Sequence, residues 1–164
     1  MRAVLIVYSY HHRNTEAIAE RMASVLDGRI KTPDAIDPQE LGAYDLIGFG
    51  SGIYSAKHHE SLLELADRLP QVTDQKAFLF STDGTPRKLV KDESALVKKM
   101  DNDHAALREK LQAKGYAIAG EYNCAGYNTN SFLRRFGGIN KGRPNGEDLE
   151  KAAAFARRLI EACR

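Results

Sequence analysis

Cysteine is scarce in this 164-residue chain: Cys124 and Cys163 stand far apart, and neither belongs to a CxxC pair or to a Cys/His array with zinc spacing. No disulfide framework is expected, and a reducing compartment is. Charge of one sign is missing as well. Lys and Arg number 24 against 22 Asp and Glu, with no concentrated basic run, so the chain carries no electrostatic footprint for nucleic acid. Long hydrophobic runs are also lacking. The longest, such as residues 3–8, are strand-sized, and Arg2 leads straight into that one, so neither a spanning helix nor a signal peptide is expected. These absences together predict a soluble, cytoplasmic protein.

What is present is a core. Hydrophobic residues make up 43% of the chain, enough for one domain over residues 1–164 to bury an interior without covalent staples. Residues 3–8, Ala-Val-Leu-Ile-Val-Tyr, form a continuous apolar run of the kind that a parallel sheet buries on both faces. From Asn14 the period changes, with Ile18, Met22, Val25 and Leu26 at helical spacing until Asp27-Gly28 supplies a stop. The alternation then repeats. Residues 44–50 read as a strand, 59–69 as a helix closed by Pro70, and 77–80 as a strand. Residues 104–114 read as a helix stopping at Gly115, and 116–122 as a strand. A last helix from about Glu147 buries Leu149, Ala152, Ala153, Ala156 and Ile160. A short strand over residues 29–32 completes five. Strands alternating with helices predict a three-layer, doubly wound α/β fold, and right-handed crossovers lead to a parallel sheet of order 2-1-3-4-5.

Such folds bind ligands outside the carboxyl ends of the strands, where the strand order reverses. The loops leaving those ends are long or polar and bear glycine, whereas most helix-to-strand returns are brief. The first, Ser9-Tyr10-His11-His12-Arg13-Asn14-Thr15, opens a helix whose free N–H groups and positive dipole end suit an anion. Ser9, Asn14 and Thr15 add donors and Arg13 adds charge. The same residues also read as an ordinary N-cap at Asn14 or Thr15, with Glu16 in the first turn. After the third strand, Gly52 suits close backbone approach to a flat ring and Tyr54 suits stacking, or Ser51, Gly52, Ile53 and Tyr54 form a plain turn with a half-buried tyrosine. Ser81, Thr82, Asp83 and Gly84 have turn composition, and it is their place after the fourth strand that makes them candidate ligand contacts.

The fourth loop runs from Asn123, Cys124, Gly126 and Tyr127 to Gly146, too long for a simple connection. Its Phe132, Phe136, Gly137, Gly138, Lys141 and Arg143 mix apolar anchors, flexible joints and positive charge, which suits an aromatic or anionic partner or a packed lid. The pairs His11-His12 and His58-His59 read as polar loop residues, because nothing near them resembles a zinc motif and no metal is expected. Cys124 reads as a small buried residue or a ring neighbour, since no base can be assigned to it. Residues 87–99 read as a solvated loop or helix.

The strand followed by Ser9 and closing on Asn14-Thr15-Glu16 resembles the phosphate loop of the flavodoxin family, which typically reads Ser/Thr-x-Thr-Gly-x-Thr, and the likeness extends over nearly the whole chain. His11, His12 and Arg13 stand where the family has Thr and Gly, in a loop one residue longer. The resemblance implies FMN as cofactor, with Ser9, Asn14 and Thr15 at its phosphate and His11 and Arg13 in the same loop. It further implies that residues 51–54 and the segment from Asn123 flank the isoalloxazine ring. The function it implies is electron transfer through the bound flavin to a redox partner protein or a small-molecule acceptor, with no protein residue acting as acid or nucleophile. Two other functions fit the same residues. One is an FMN-dependent oxidoreductase acting on a small molecule such as a quinone or protoporphyrinogen. The other is a flavin-free binding domain.

Overall fold

The apolar run at the start of the chain becomes β1 (Ala3–Tyr8), and it lies inside a parallel sheet. It pairs with β2 (Arg29–Lys31) on one side and with β3 (Leu46–Tyr54) on the other. β3 turns through Ser55 and Ala56, both with positive φ, into β4 (Lys57–His58), which pairs back onto it antiparallel. β5 (Gln75–Asp83) adds parallel to β3, and β6 (Tyr116–Ala125) closes the far edge. With β4 set apart as a hairpin arm, the order β2-β1-β3-β5-β6 is the predicted five-strand order. The computed structural model describes residues 1–10, 12–87, 90 and 92–163, and of Ser131 and Phe132 only the backbone.

Alternate residues of a strand face opposite ways, so β1 feeds two cores. Ala3, Leu5 and Val7 meet Ile18 and Met22 of α1 (Asn14–Leu26) and, through the sheet's other strands, Ala152, Phe155 and Leu159 on the last helix. Val4 and Ile6 meet the opposite layer, where α2 (Glu60–Arg68) supplies Leu62 and Leu65 and α3 (Glu93–Ala113) supplies Leu107 and Leu111. α4 (Gly146–Ala162) completes the first layer, its start fixed by a capping box between Asn145 and Asp148. Leu149 and Ile160 are only partly buried at the margin of that core.

Four elements run further than predicted. β3, β5 and β6 continue to Tyr54, Asp83 and Ala125, so residues 51–54 and 81–83 are strand and not turn. β4 supplies the antiparallel partner for the end of β3, and the pairing of β5 with β6 holds through Asp83 and Ala125. α3 begins at Glu93, eleven residues before the stretch whose apolar spacing announces it, capped by the Asp92 side chain. Its first turns carry Glu93, Ser94, Lys98, Lys99 and an exposed Val97, and a solvated helix leaves no apolar period to read.

Gly48 and Gly50 decide how close β3 and β5 lie on the α1/α4 side. A β-carbon on Gly48 would sit 2.8 Å from Phe78 Cε1 and closer still to Cζ, and one on Gly50 would sit 2.6 Å from Phe80 Cε1 and closer to Cε2 and Cζ. The two rings therefore fill the space that the glycines leave, and they stack with centroids 5.8 Å apart.

Candidate functional site

The strand ends and loops meet in an open crevice at the carboxyl edge of the sheet. Ser9, Tyr10, Asn14 and Thr15 form one wall from the first loop and the start of α1. Gly52, Ile53 and Tyr54 come from the end of β3, and Thr82, Asp83 and Gly84 from the end of β5. Gly126, Tyr127, Asn128 and Asn130 complete it from the loop after β6. The order reversal at β1 is what opens the crevice beside the loops that leave β1 and β3.

The start of α1 is built differently from the other helices. His59, Asp92 and Asn145 each cap a helix through the side chain, whereas Arg13, the N-cap of α1, sits in the left-handed region at φ 54° and offers no side-chain cap. Only the Glu16 N–H finds a side-chain acceptor there, Ser9 Oγ at 3.3 Å. The Arg13 guanidinium turns outward onto the Glu16 carboxylate at 2.5 Å and leaves the crevice. The anion-binding character of this corner therefore rests on backbone N–H groups and the helix dipole, not on a cation.

Hydrogen bonds hold the walls together. Thr15 Oγ1 and Thr82 Oγ1 share a hydrogen at 2.8 Å across α1 and β5, and Asn14 Nδ2 donates to Tyr127 O at 2.8 Å. His12 Nε2 and Thr129 Oγ1 are bonded at 2.8 Å, which ties the first loop to the fourth. Two glycines admit these contacts: a β-carbon on Gly126 would meet Asn14 Nδ2 at 2.7 Å, and one on Gly84 would meet Asn128 Nδ2 at 2.5 Å. The Tyr54 ring lies over Gly52 and meets His59 edge to face at 5.2 Å.

Asp83 closes the floor. Burial alone would raise its pKa, but Arg87 at 3.3 Å, the Thr85 N–H at 2.7 Å and Lys99 at 3.8 Å hold the carboxyl below the usual range. It is thus a fixed negative charge at this end of the crevice.

Of the residues expected at the site, Ser9, Asn14, Thr15, Gly52, Ile53, Tyr54, Thr82, Asp83, Gly84, Gly126 and Tyr127 share the crevice. His11 lies outside the described residues, as do Lys88 and Lys91 of the charged segment and the side chain of Phe132. Arg13 points to solvent. Asn123 faces the opposite layer, where it accepts from Arg87 at 2.5 Å and donates to Ser81 Oγ at 2.8 Å. Ser51, Ser81 and Cys124 are buried beneath the crevice. Tyr10, Asn128 and Asn130 line it without having been singled out from the sequence, where polar residues in a long loop carry no sign of which way they face.

Below the crevice runs a buried polar web that spacing does not reveal. His104 Nδ1 donates to Glu121 Oε2 at 2.8 Å, and Nε2 shares a hydrogen with Ser81 Oγ at 2.8 Å. Burial opposes ionisation of Glu121, but His104 and Arg108 together hold its carboxyl below the usual range. This Ser-His-Glu string has the connectivity of a nucleophile and its base, yet Ser81 is fully buried and within the sheet, so no substrate reaches it. Alongside, the His58 ring lies 4.7 Å from that of His104. His59 faces away, caps α2 and stacks on Tyr8 at 3.5 Å. Adjacent histidines have thus become one core group and one cap, and among the described residues no cluster could hold a metal ion.

Cys124 is 5% exposed, and burial pushes its thiol pKa up to about 12. A thiol held in that form is inert at neutral pH. Iodoacetamide at pH 8 is expected to leave Cys124 unmodified in the native protein and to alkylate it in guanidinium chloride, as mass spectrometry would show.

The comparisons with known proteins agree with this geometry. The flavodoxin-domain family model matches residues 5–131. The chain belongs to the flavodoxin family. An uncharacterized protein of Methanocaldococcus jannaschii is 42% identical over 161 residues, covering 98% of this chain and 99% of its own. In structure the chain is similar to oxidised Flavodoxin 1 from Bacillus cereus, with a TM-score of 0.65, 21% identity and 98% of each chain covered. It is similar also to a short-chain flavodoxin associated with a bacterial microcompartment, with a TM-score of 0.68, 14% identity and 100% of each chain covered. The flavodoxin fold thus extends through α4, past the end of the family match. Among the described residues no helix is long and apolar enough to cross a membrane.

Proposed function

We propose that the crevice binds FMN and that the protein transfers electrons through it to a redox partner. The observation that carries this reading is the start of α1, the one α-helix among the described residues without a side-chain cap, which opens into the crevice beside Ser9 and Thr15. The phosphate would take those N–H groups, with the Ser9 and Thr15 hydroxyls and the free hydrogen of the Asn14 amide beside it. The donor set fits a phosphate, and Tyr10, Tyr54 and Tyr127 on the walls of the same crevice suit a flat aromatic ring.

The flavin supplies the one- and two-electron chemistry, and the residues here bind, orient and tune. Tyr54, whose ring lies over Gly52, offers an aromatic face on the β3 side. Asp83, ionised on the floor, is offset by Arg87 and Lys99, so it fixes those two cations in place and adds little net charge beside the ring. The Thr15–Thr82 bond keeps α1 in register with β5, which holds the phosphate corner at a fixed distance from the ring end.

The test is reconstitution with excess FMN, desalting and a visible spectrum. The wild type is expected to retain flavin near 1:1. Asn14→Ala combined with Thr15→Ala is expected to weaken binding about two hundredfold or more, from two hydrogen bonds to a charged group at about 1.5–3 kcal/mol each. Circular dichroism confirms that the variant is folded. A wild type that retains no flavin and shows no binding by titration would remove this reading and leave a flavin-free domain.

A further inference from the structure

We propose that the tip of the loop between β6 and α4 is a docking surface for an acidic protein. Between Glu121 and Glu147 the chain has no carboxylate and four cations, Arg134, Arg135, Lys141 and Arg143, which leaves 20 cations against 22 acids on all the rest. The net positive charge of the molecule is therefore owed to this one segment.

Elsewhere many cations are matched, Arg13 with Glu16, Arg21 with Glu150, Lys31 with Glu40 and Lys151 with Glu147, and those that are not, such as Lys57 and Arg157, lie on segments that also carry acids. In the loop only Arg143 is matched, bound to the buried Asp148. Arg134, Arg135 and Lys141 are exposed and meet no carboxylate among the described residues. Three unpaired cations that a near-neutral surface holds together form a patch whose field selects partners of opposite sign.

The patch is also held in place. Asn128 and Ile139 exchange both backbone bonds, at 3.0 and 2.8 Å, Tyr127 N donates to Arg143 O at 3.0 Å, and Gly138 N donates to Leu133 O at 2.9 Å. A surface ordered beforehand loses little entropy on docking. Its roots, Tyr127, Asn128 and Asn130, are the crevice wall, so a protein seated on the tip lies beside the crevice mouth. Phe136 in the same turn is 74% exposed and Tyr10 on the opposite lip 73%. Arginine with exposed aromatics is the composition of protein interfaces. A small anion is a poorer occupant, because the cavity behind the tip includes Lys141 and the Arg143 already bound to Asp148 but neither Arg134 nor Arg135.

The test measures association of the full chain, with and without FMN, with a plant-type [2Fe–2S] ferredoxin as the acidic protein and cytochrome c as a basic one. Binding to ferredoxin is expected to weaken about tenfold or more between about 20 and 300 mM salt. Arg134→Glu, Arg135→Glu and Lys141→Glu combined are expected to weaken it by a similar factor at low salt and to tighten cytochrome c. Equal binding of ferredoxin by variant and wild type would overturn the proposal. So would wild-type binding to phosphatidylserine vesicles without binding to ferredoxin. The docking itself rests on charge and geometry, and only its purpose rests on the FMN reading. A chain that retains no flavin but binds ferredoxin in this salt-dependent way therefore keeps the surface and loses the electron-transfer role.

Discussion

Replacing Gly50 with alanine is expected to lower the thermal midpoint by roughly 6–12 °C, from about 3 kcal/mol of overpacking at about 2–4 °C per kcal/mol for a domain of this size. The new methyl would fall within the van der Waals envelope of Phe80, whose ring is fully buried and stacked on Phe78. Neither partner has room to yield. Phe80 lies on β5 directly opposite Gly50 on β3, and both strands are pinned on their other sides by β1 and β6. Gly42→Ala is the control: its β-carbon would meet nothing within 4 Å, and its midpoint is expected to stay close to the wild type. Adding Phe80→Leu to Gly50→Ala removes the clashing ring edge, so the double variant is expected to lose less than the sum of the two single losses. Strictly additive losses in a double-mutant cycle would show that the two side chains do not share this space. The outcome bears on the crevice too, because Gly52 and Thr82 stand two residues further along the same paired strands, and a shift at Gly50 would be transmitted to its floor.

How far the sequence is legible follows from which signals are local. The parallel sheet and its order can be read because β1 is an unbroken apolar run and apolar helical faces follow β1, the β3–β4 arm, β5 and β6. The phosphate corner can be read because helix starts have a composition and a chemistry of their own. What is not legible is direction. Ser51 and Gly52 are neighbours in sequence, yet one points into the core and the other into the crevice, because β3 continues as strand and its side chains alternate. Ser81 and Thr82 repeat this on β5. A polar residue at a strand end looks like a ligand contact in either orientation. The partners that make burial tolerable, His58 and His104, arrive from a hairpin arm and from α3, and no spacing joins them. α3 shows a related limit: its first turns are solvated, and turns that face water carry no apolar stripe.

The buried histidine under the crevice makes the fold sensitive to mild acid, and the sign follows from its hydrogen bonds. Ser51 Oγ gives its one hydrogen to Gly52 O at 2.7 Å and accepts from the His59 N–H at 2.9 Å, so His58 Nδ1, 3.1 Å away, must be the donor to it. Neutral His58 then has a bare Nε2, which is buried and has no hydrogen-bond partner. Protonation would place an N–H where no acceptor waits. Burial, and after it the neighbouring His104, accordingly lower the His58 pKa well below its ordinary value. A histidine with a depressed folded pKa binds its proton in the unfolded chain first, so stability is full above about pH 6.5 and falls as the pH drops below it. The slope approaches about 1.4 kcal/mol per pH unit, or about 2 kcal/mol by pH 5, before the carboxylates Asp83 and Glu121 begin to titrate in the unfolded chain. His59, also depressed chiefly by burial, adds to the slope in the same direction and stays in place in the comparison. His58→Asn keeps a donor for Ser51 and removes the titrating group. Urea unfolding from pH 7 to 5 is expected to show a stability difference between wild type and variant that narrows, or changes sign, as the pH falls. Two parallel curves across that range would mean that His58 takes up its proton as readily in the folded chain as in the unfolded one.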